Sequence, residues 1–457
     1  MPRCTKKSSH GAENKHNIFE DHRIRIVNIQ SVTFSEYALI KNILFSITLL
    51  LTLVGCEDKI STLGSPYFPD TVQLHTITRT DTGFMQFSNY TRSYVTANGV
   101  NYNLTFGSPL MIVGRALSGS ENVEAWGLLR FIPFNPDSLT HVIGLRLILS
   151  TQKYAYGDTT NSNVSLRVYT QSSGKVTDST IALSTSDLSS SSIGNLDTTI
   201  LNDTGQTVAI NLDTNVKPML TASSLAFVVL PSATMTNARA FRTCENAAYG
   251  SPELEYTLKY GDSVFKVVRT TLVNTTTTSN GTLDMFIVRD QSVSPPHEFT
   301  VRGGVGEREH IFFNLARPND TANLNQFSTI NSALLKLKVD WANSRHSGLS
   351  FDTTLLGIKI TGIGDTAALQ DDLGVPDPTD PTGQTYEFQV RGLIESWLRT
   401  PTSNLGFDIR AGFQSVNFGG TAVPTEGNTL NRWTFYGSDY PDSTKRPQLI
   451  ISYSQLR

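Results

Sequence analysis

Carboxylates are the residues here best suited to chemistry. The stretch Gln370-Asp371-Asp372-Leu373-Gly374-Val375-Pro376-Asp377-Pro378-Thr379-Asp380-Pro381 gathers Asp371, Asp372, Asp377 and Asp380 in one acidic loop. Hard oxygen ligands of this kind suit a structural calcium ion, while Asp-Pro runs are also ordinary turn formers and the spacing is not that of an EF-hand. Glu307-Arg308-Glu309-His310 sets acid and base types side by side. Neighbours on a strand point to opposite faces, so this run reads as a charge cluster at a sheet edge or strand start. Glu387, Glu395 and Asp408 are carboxylates of the type a glycosidase pairs, at separations of roughly 5–10 Å that spacing along the chain does not fix.

No Gly-x-Ser-x-Gly elbow, His-Glu-x-x-His helix, phosphate-cradling loop or paired-cysteine metal motif occurs in the sequence. The expectation is therefore a protein without catalysis. Cys244 reads as a buried or half-buried thiol, since no activating histidine is identified for it. Among the aromatics, Trp341, Trp397 and Trp433 share apolar faces with core residues, and Trp126 precedes the first core strand. The candidate ligand platform is therefore Tyr154 and Tyr156, in Gln152-Lys153-Tyr154-Ala155-Tyr156-Gly157, with Tyr436 and Tyr440 near the last turn.

Composition narrows the partners. Charged residues make up 17% of the 457, against about 25% in ordinary globular chains, and the net charge is −3. Without clustered Lys and Arg, nucleic acid is excluded as a partner class.

The elements that must position these residues are strands. Leu145, Leu147 and Leu149 alternate with Arg146, Ile148 and Ser150; Leu335, Leu337, Val339 and Trp341 alternate with Lys336, Lys338 and Asp340. A period of two with one apolar face is a sheet packed on a single side. These strands belong to an internal repeat. Gly127-Leu128-Leu129-Arg130-Phe131 corresponds to Glu309-His310-Ile311-Phe312-Phe313, Thr207–Leu212 to Thr385–Val390, Ser224–Val229 to Asn404–Ile409, and Ser251–Tyr256 to Arg446–Ile451. The alternation and the repeat predict an all-β chain of two tandem copies of one domain, the first over 73–262 and the second over 263–457.

Ahead of them, Lys41 to Cys56 couples a basic residue, a short apolar run and the ending Leu53-Val54-Gly55-Cys56. The run is shorter than the roughly 20 residues a helix needs to span a bilayer. It resembles the signal peptide of bacterial lipoproteins. That resemblance implies a signal peptide over 41–55, a peptidase motif at Leu53, Val54 and Gly55, and lipidation of Cys56. Residues 56–72 then form a tether to the membrane, at the outer membrane or cell surface, and residues 1–40 are expected to be a mis-annotated gene start.

Within the repeats, Val390-Arg391-Gly392-Leu393-Ile394-Glu395-Ser396-Trp397, Asn404-Leu405-Gly406-Phe407 and Arg446-Pro447-Gln448-Leu449-Ile450-Ile451-Ser452-Tyr453 resemble the DNRLRE domain, a family overlapping carbohydrate-binding module family 96. The first copy departs from the pattern, with Asn215-Val216-Lys217-Pro218-Met219-Leu220 lacking the tryptophan and Ser251 replacing the arginine. The resemblance implies that the two copies are tandem jelly-roll-type antiparallel β-sandwiches and that they bind polysaccharide. The alternatives are a structural or adhesive surface lipoprotein holding other envelope proteins, and accessory domains of a polysaccharide-degrading system.

Overall fold

In the computed structural model Leu145, Leu147 and Leu149 are all buried on one strand and Leu335, Leu337 and Val339 on another, as the alternation requires. The structure describes residues 72–456 except for interior stretches, the longest being 272–282, 316–323, 348–354 and 360–370. The leader, the Leu53-Val54-Gly55 motif, Cys56 and the tether before residue 72 lie outside the described residues.

The first repeat contains β1 (Val72–Arg79), β2 (Met85–Thr91), the hairpin β3 (Tyr94–Ala97) and β4 (Val100–Asn103), β5 (Leu110–Ser118), β6 (Glu121–Arg130), β7 (Val142–Gly157), β8 (Asn163–Gln171), β9 (Gly194–Thr199), β10 (Thr207–Asn211), β11 (Ala226–Pro231), β12 (Asn237–Arg242) and β13 (Glu253–Tyr260). The second contains β14 (Val264–Thr271), β15 (Leu283–Asp290), β16 (Glu298–Arg302), β17 (Glu307–Phe313), β18 (Thr329–Lys338), β19 (Leu355–Lys359), β20 (Asp371–Pro376), β21 (Thr385–Gln389), β22 (Phe407–Ala411), the hairpin β23 (Val416–Phe418) and β24 (Thr421–Val423), β25 (Arg432–Tyr436) and β26 (Gln448–Leu456). The helix α1 (Arg391–Arg399) buries Leu393, Ile394, Trp397 and Leu398, and a 3-10 turn at Thr214–Met219 takes its place in the first repeat.

The fold is an all-β sandwich built twice, and the pairings repeat with the sequence. β7 lies between β10 and β13 as β18 lies between β21 and β26. β11 pairs with β6 and β8 as β22 pairs with β17 and β19. β12 joins β5 as β25 joins β16. β7 passes from one layer to the other: its first part pairs with β10 and β13, its last with β12 across a register shift.

The first two strands of each repeat depart from the tandem plan. β1 pairs with β26 and β2 with β17, both in the second repeat, whereas β14 pairs with β13 and β15 with β6, both in the first. The repeats therefore exchange strands, and a boundary at 262/263 separates the sequence copies without separating the sandwiches. Hydrogen bonding drives this: β6, β13, β17 and β26 would otherwise carry unpaired backbone edges. The cores follow the exchange, since Phe84 and Met85 pack in the second core and Phe286 in the first. Each such side chain contributes roughly 1.5–3 kcal/mol to the opposite sandwich. A third apolar cluster covers the outer face of β6, β11 and β15, where Trp126, Leu128 and Met285 meet Val176 and Leu183.

The alternation fails in one place. After Val339 bridges Phe435, the chain turns at Asp340 and carries Trp341 off the apolar face, leaving it 36% exposed.

If the exchange holds the halves together, cutting the chain need not part them. Cleavage at a protease site inserted between Gly261 and Asp262 is expected to leave one particle of unchanged size on native gel filtration. Elution of two half-size species would contradict the exchange.

Candidate functional site

β16 and β17 are joined by Gly303-Gly304-Val305-Gly306. Gly304 and Gly306 have φ of +72° and +75°, and a Cβ on Gly306 would lie 2.0 Å from the carbonyl oxygen of Arg92. Only glycine tolerates both conditions. The turn fixes register: Arg302 stands opposite Glu307 on one side and opposite Arg432 on the other, and Thr91 stands opposite Glu307. Thr91, Glu307, Arg302 and Arg432 thus form one row across β2, β17, β16 and β25.

Two arginines directly opposite each other repel. Both are buried, Arg302 at 0% and Arg432 at 1% exposure, so compensation has to come from nearby. Asp290 and Glu121 provide it from the β15–β6 pair of the other sandwich: Asp290 Oδ2 lies 3.1 Å from Arg302 Nη1, and Glu121 Oε1 lies 3.5 Å from Nη2. Arg432 donates to Ser120 Oγ at 3.2 Å and to the Val293 carbonyl at 3.1 Å. None of the Arg302 nitrogens meets an acceptor with hydrogen-bond geometry, so its compensation is through charge.

A cavity of about 450 Å³ opens over this row. Hydroxyls and an amide from Thr91, Ser93, Asn103, Ser292, Ser294 and Thr300 line it together with Arg302, Arg432, Asp290 and Glu307. Burial, with Asp290 adding to it, pushes Glu307 up to about 7 although Arg302 and Arg432 oppose the shift. Its neighbour Glu309 is pushed up to about 8 by burial and by Glu307 and Asp408, against a hydrogen bond from Asn89. Burial and Asp340 raise Glu298 to about 7. For Arg302, burial works against the charge, but Tyr156, Asp290, Glu121 and Glu307 outweigh it and raise its pKa. Chemically the cavity mixes hydroxyl, amide, carboxylate and guanidinium groups with the apolar side chains of Ile181, Ala182, Val288 and Val305.

The other face of β17 carries a second buried polar network. Arg308 Nη2 donates to Glu426 Oε2 at 2.9 Å, and Asp408 is held by Tyr90, by His310 Nδ1 at 3.0 Å and by Arg410 Nη2 at 3.2 Å. Burial would raise the Asp408 pKa, but these three partners keep it lowered. Ser88, His310 and Asp408 are cross-strand neighbours and have the residue types of a hydrolytic triad. The imidazole, however, packs on Gly406, whose Cβ position would fall 2.4 Å from Nε2. Nε2 therefore lies against Gly406, on the β22 side of the ring. The same contact explains the Gly-Phe step, since Gly406 has φ +95° and no room for a side chain.

The expected platform is not on the surface. Tyr154 and Tyr156 lie in β7 rather than in a loop, at 3% and 0% exposure, and the register shift between Gln152 and Ala155 turns Tyr154 inward. Tyr154 Oη accepts from the Leu430 amide at 2.9 Å, across the contact between the repeats, and Tyr156 donates to Glu121 within the first. Tyr436 is buried in β25, and half-buried Tyr440 packs against it at 4.5 Å with Lys445 over both rings. Of the four tryptophans, only Trp341 reaches the surface.

The acidic loop resolves into separate turns. Asp377 Oδ1 accepts from the Thr379 amide at 2.8 Å and Oδ2 from Lys336 Nζ at 2.9 Å; Asp380 accepts from the amides of Thr382 and Thr385, both at 2.9 Å. Hydrogen bonds from Thr379 and Lys336, and from Thr382 and Thr385, hold both carboxyls well below the usual carboxylate range. With those oxygens filled by donors, Asp377 and Asp380 do not fit a calcium ligand set. Asp371 and Asp372 begin β20, and their side chains lie outside the described residues. Among the described residues no group of three metal-ligating side chains occurs. Glu387 binds Lys336 and Glu395 binds Arg399, so these two carboxylates and Asp408 have separate partners. The Glu307–His310 run sits within a paired sheet, with β2 on one side and β16 and β22 on the other, and not at an edge. Cys244 is buried, its thiol 3.4 Å from Asp284 Oδ1.

Arg302, Arg432, Asp290 and Glu121 escaped the sequence reading. Their one local signal is an arginine on an otherwise apolar strand, in Glu-Phe-Thr-Val-Arg and Arg-Trp-Thr-Phe-Tyr.

No family model matches the chain, and no curated protein matches it. Among solved structures, the infectious bursal disease virus VP2 subviral particle is 12% identical, with 87% of this chain and 82% of that chain covered and a TM-score of 0.12. The structure of the Gx strain of the same virus is 12% identical over 85% of this chain and 79% of that one, with a TM-score of 0.11. At these TM-scores the likeness carries no argument.

Two outcomes follow for stability. Glu426→Ala leaves the buried Arg308 guanidinium without its carboxylate and is expected to cost about 3–5 kcal/mol in denaturant titrations, whereas Asp197→Ala, at an exposed pair with Arg167, costs under about 1 kcal/mol. Glu298, Glu307 and Glu309 each hold their proton in the folded chain at pH values where the unfolded chain has lost it. Their contribution is complete below pH 4.5, the ordinary glutamate value, and is lost as pH rises through about 7 to 8. Thermal midpoints should fall across that interval, and Glu307→Gln with Glu309→Gln should flatten the fall.

Proposed function

We propose that this chain is a lipid-anchored cell-envelope protein whose paired sandwiches bind polysaccharide without cleaving it. The observation that carries this reading is the polar cavity over the Thr91-Glu307-Arg302-Arg432 row. A sugar presents hydroxyls that both donate and accept, and a chamber mixing serine, threonine and asparagine with carboxylates and guanidinium groups answers both. A protein partner would call for a contiguous apolar face. The most exposed large apolar side chains among the described residues, Phe327, Val293 and Leu74, come from separate elements.

The lipoprotein-like leader supports the location. A lipid at Cys56 would hold the chain at the outer membrane or cell surface, since each buried methylene adds about 0.8 kcal/mol and two or more acyl chains anchor stably. Similarity of the repeats to DNRLRE and family 96 carbohydrate-binding modules supports the ligand class.

The test has two arms. In a bacterial host the wild-type chain should take up labelled palmitate and Cys56→Ser should not. On a glycan array the Cys56→Ser chain should retain polysaccharide, and Ser294→Trp, which fills the cavity, should lose it. Silence on every glycan, together with capture of a defined envelope protein, would replace the carbohydrate reading by the adhesive one.

A further inference from the structure

The N-terminal strands form an arm. β1 and β2 belong to the first repeat by sequence, yet each pairs only with the second: Thr76 Oγ1 lies 3.1 Å from Ser452 Oγ, the His75 ring stacks on Tyr453 at 5.1 Å, and Phe84 and Met85 fill the second core. Of their counterparts, β14 is placed differently: a tight turn between Tyr260 and Val264 delivers it directly onto β13, so that pairing is fixed by chain continuity, whereas β15, like the arm, reaches its partner strand from far along the chain. The arm has no such constraint. More than 370 residues separate Thr76 from Ser452, as their separation of 376 shows, and only non-covalent contacts hold β1 there.

We infer that the arm β1–β2 also pairs with a second copy of this chain, giving a reciprocal dimer in which each copy's β1 lies on the other's β26 and each β2 on the other's β17. The acceptor edges, the register and the apolar anchors are the same within one chain or between two. Exchange of an identical element between protomers therefore creates no new interface to optimise, and concentration sets the balance. The symmetry closes, because a copy that donates its arm has vacated the site that receives its partner's. The arm also supplies Thr91 to the cavity wall, with Ser93 just after β2, so a dimer would build each cavity from two chains. The surface reading above, on which the effect of tethering rests, would favour the dimer, since anchoring raises the effective concentration of copies.

The experiment uses the full chain with Cys4→Ser, Cys56→Ser and Cys244→Ser, adding Thr76→Cys to one sample and Ser452→Cys to another. The two are mixed, concentrated and oxidised. A disulfide-linked heterodimer on a non-reducing gel is the expected result, in a yield that rises with protein concentration. The chain carrying both cysteines reports whether the pair can close, by forming an intrachain link. No heterodimer, when that link forms readily, overturns the inference. Sedimentation of the wild-type full chain in detergent is independent of the cysteine geometry: a monomer at every concentration overturns the inference as well. Neither result touches glycan retention on the array, so the polysaccharide reading fails or survives separately.

Discussion

Unpaired backbone at a sheet edge is the constraint on which the rest of this structure depends. Each sandwich ends in strands whose amides and carbonyls need partners, and each takes them from the other repeat. The exchange makes residues 74–455 one compact unit where the sequence copies suggest two. It also decides where polar groups can be buried, because β15 brings Asp290 over the second sandwich only by pairing with β6 of the first.

The arginine row is a consequence of that geometry. Arg302 and Arg432 face one another across β16 and β25 with almost no access to water. In an isolated sandwich this pair would be strongly unfavourable; beside Glu121 and Asp290 it becomes a charge-matched contact that specifies how the halves meet. A buried ion pair of this kind adds little net stability compared with apolar packing, because desolvation offsets most of the Coulomb gain. The Gly303–Gly306 turn belongs to the same device, because it aligns Arg302 with Glu307.

Much of the fold was legible because strand periodicity is local. Leu145, Leu147 and Leu149 alternate in sequence and are buried together, and the repeat landmarks became equivalent strands with equivalent partners. Trp397 could be placed on the apolar side of a short helix by its spacing from Leu393 and Ile394. The reading failed where a local rule met a non-local cause. Tyr154 and Tyr156 were read as loop aromatics, but a register shift opposite Arg239 and Ala240 turns Tyr154 inward, Leu430 of the second repeat meets its hydroxyl, and Tyr156 is buried on the same strand. Glu307 to His310 carried the charge density of an edge, yet β2 arrives from more than two hundred residues away to cover it, as Glu309 pairs with Asn89.

By itself the sequence determined the strands, their apolar faces and the repetition of one module, since each depends on neighbours a few residues apart. Only the tertiary structure decided which repeat each strand joins, and with it the site. Pairing at sheet edges is set by which surfaces remain open once the modules have formed, and composition along the chain does not encode that choice. The cavity shows the difference most directly. Thr91, Asp290, Arg302, Glu307 and Arg432 share no motif, and meet because two copies of one fold complete each other's sheets.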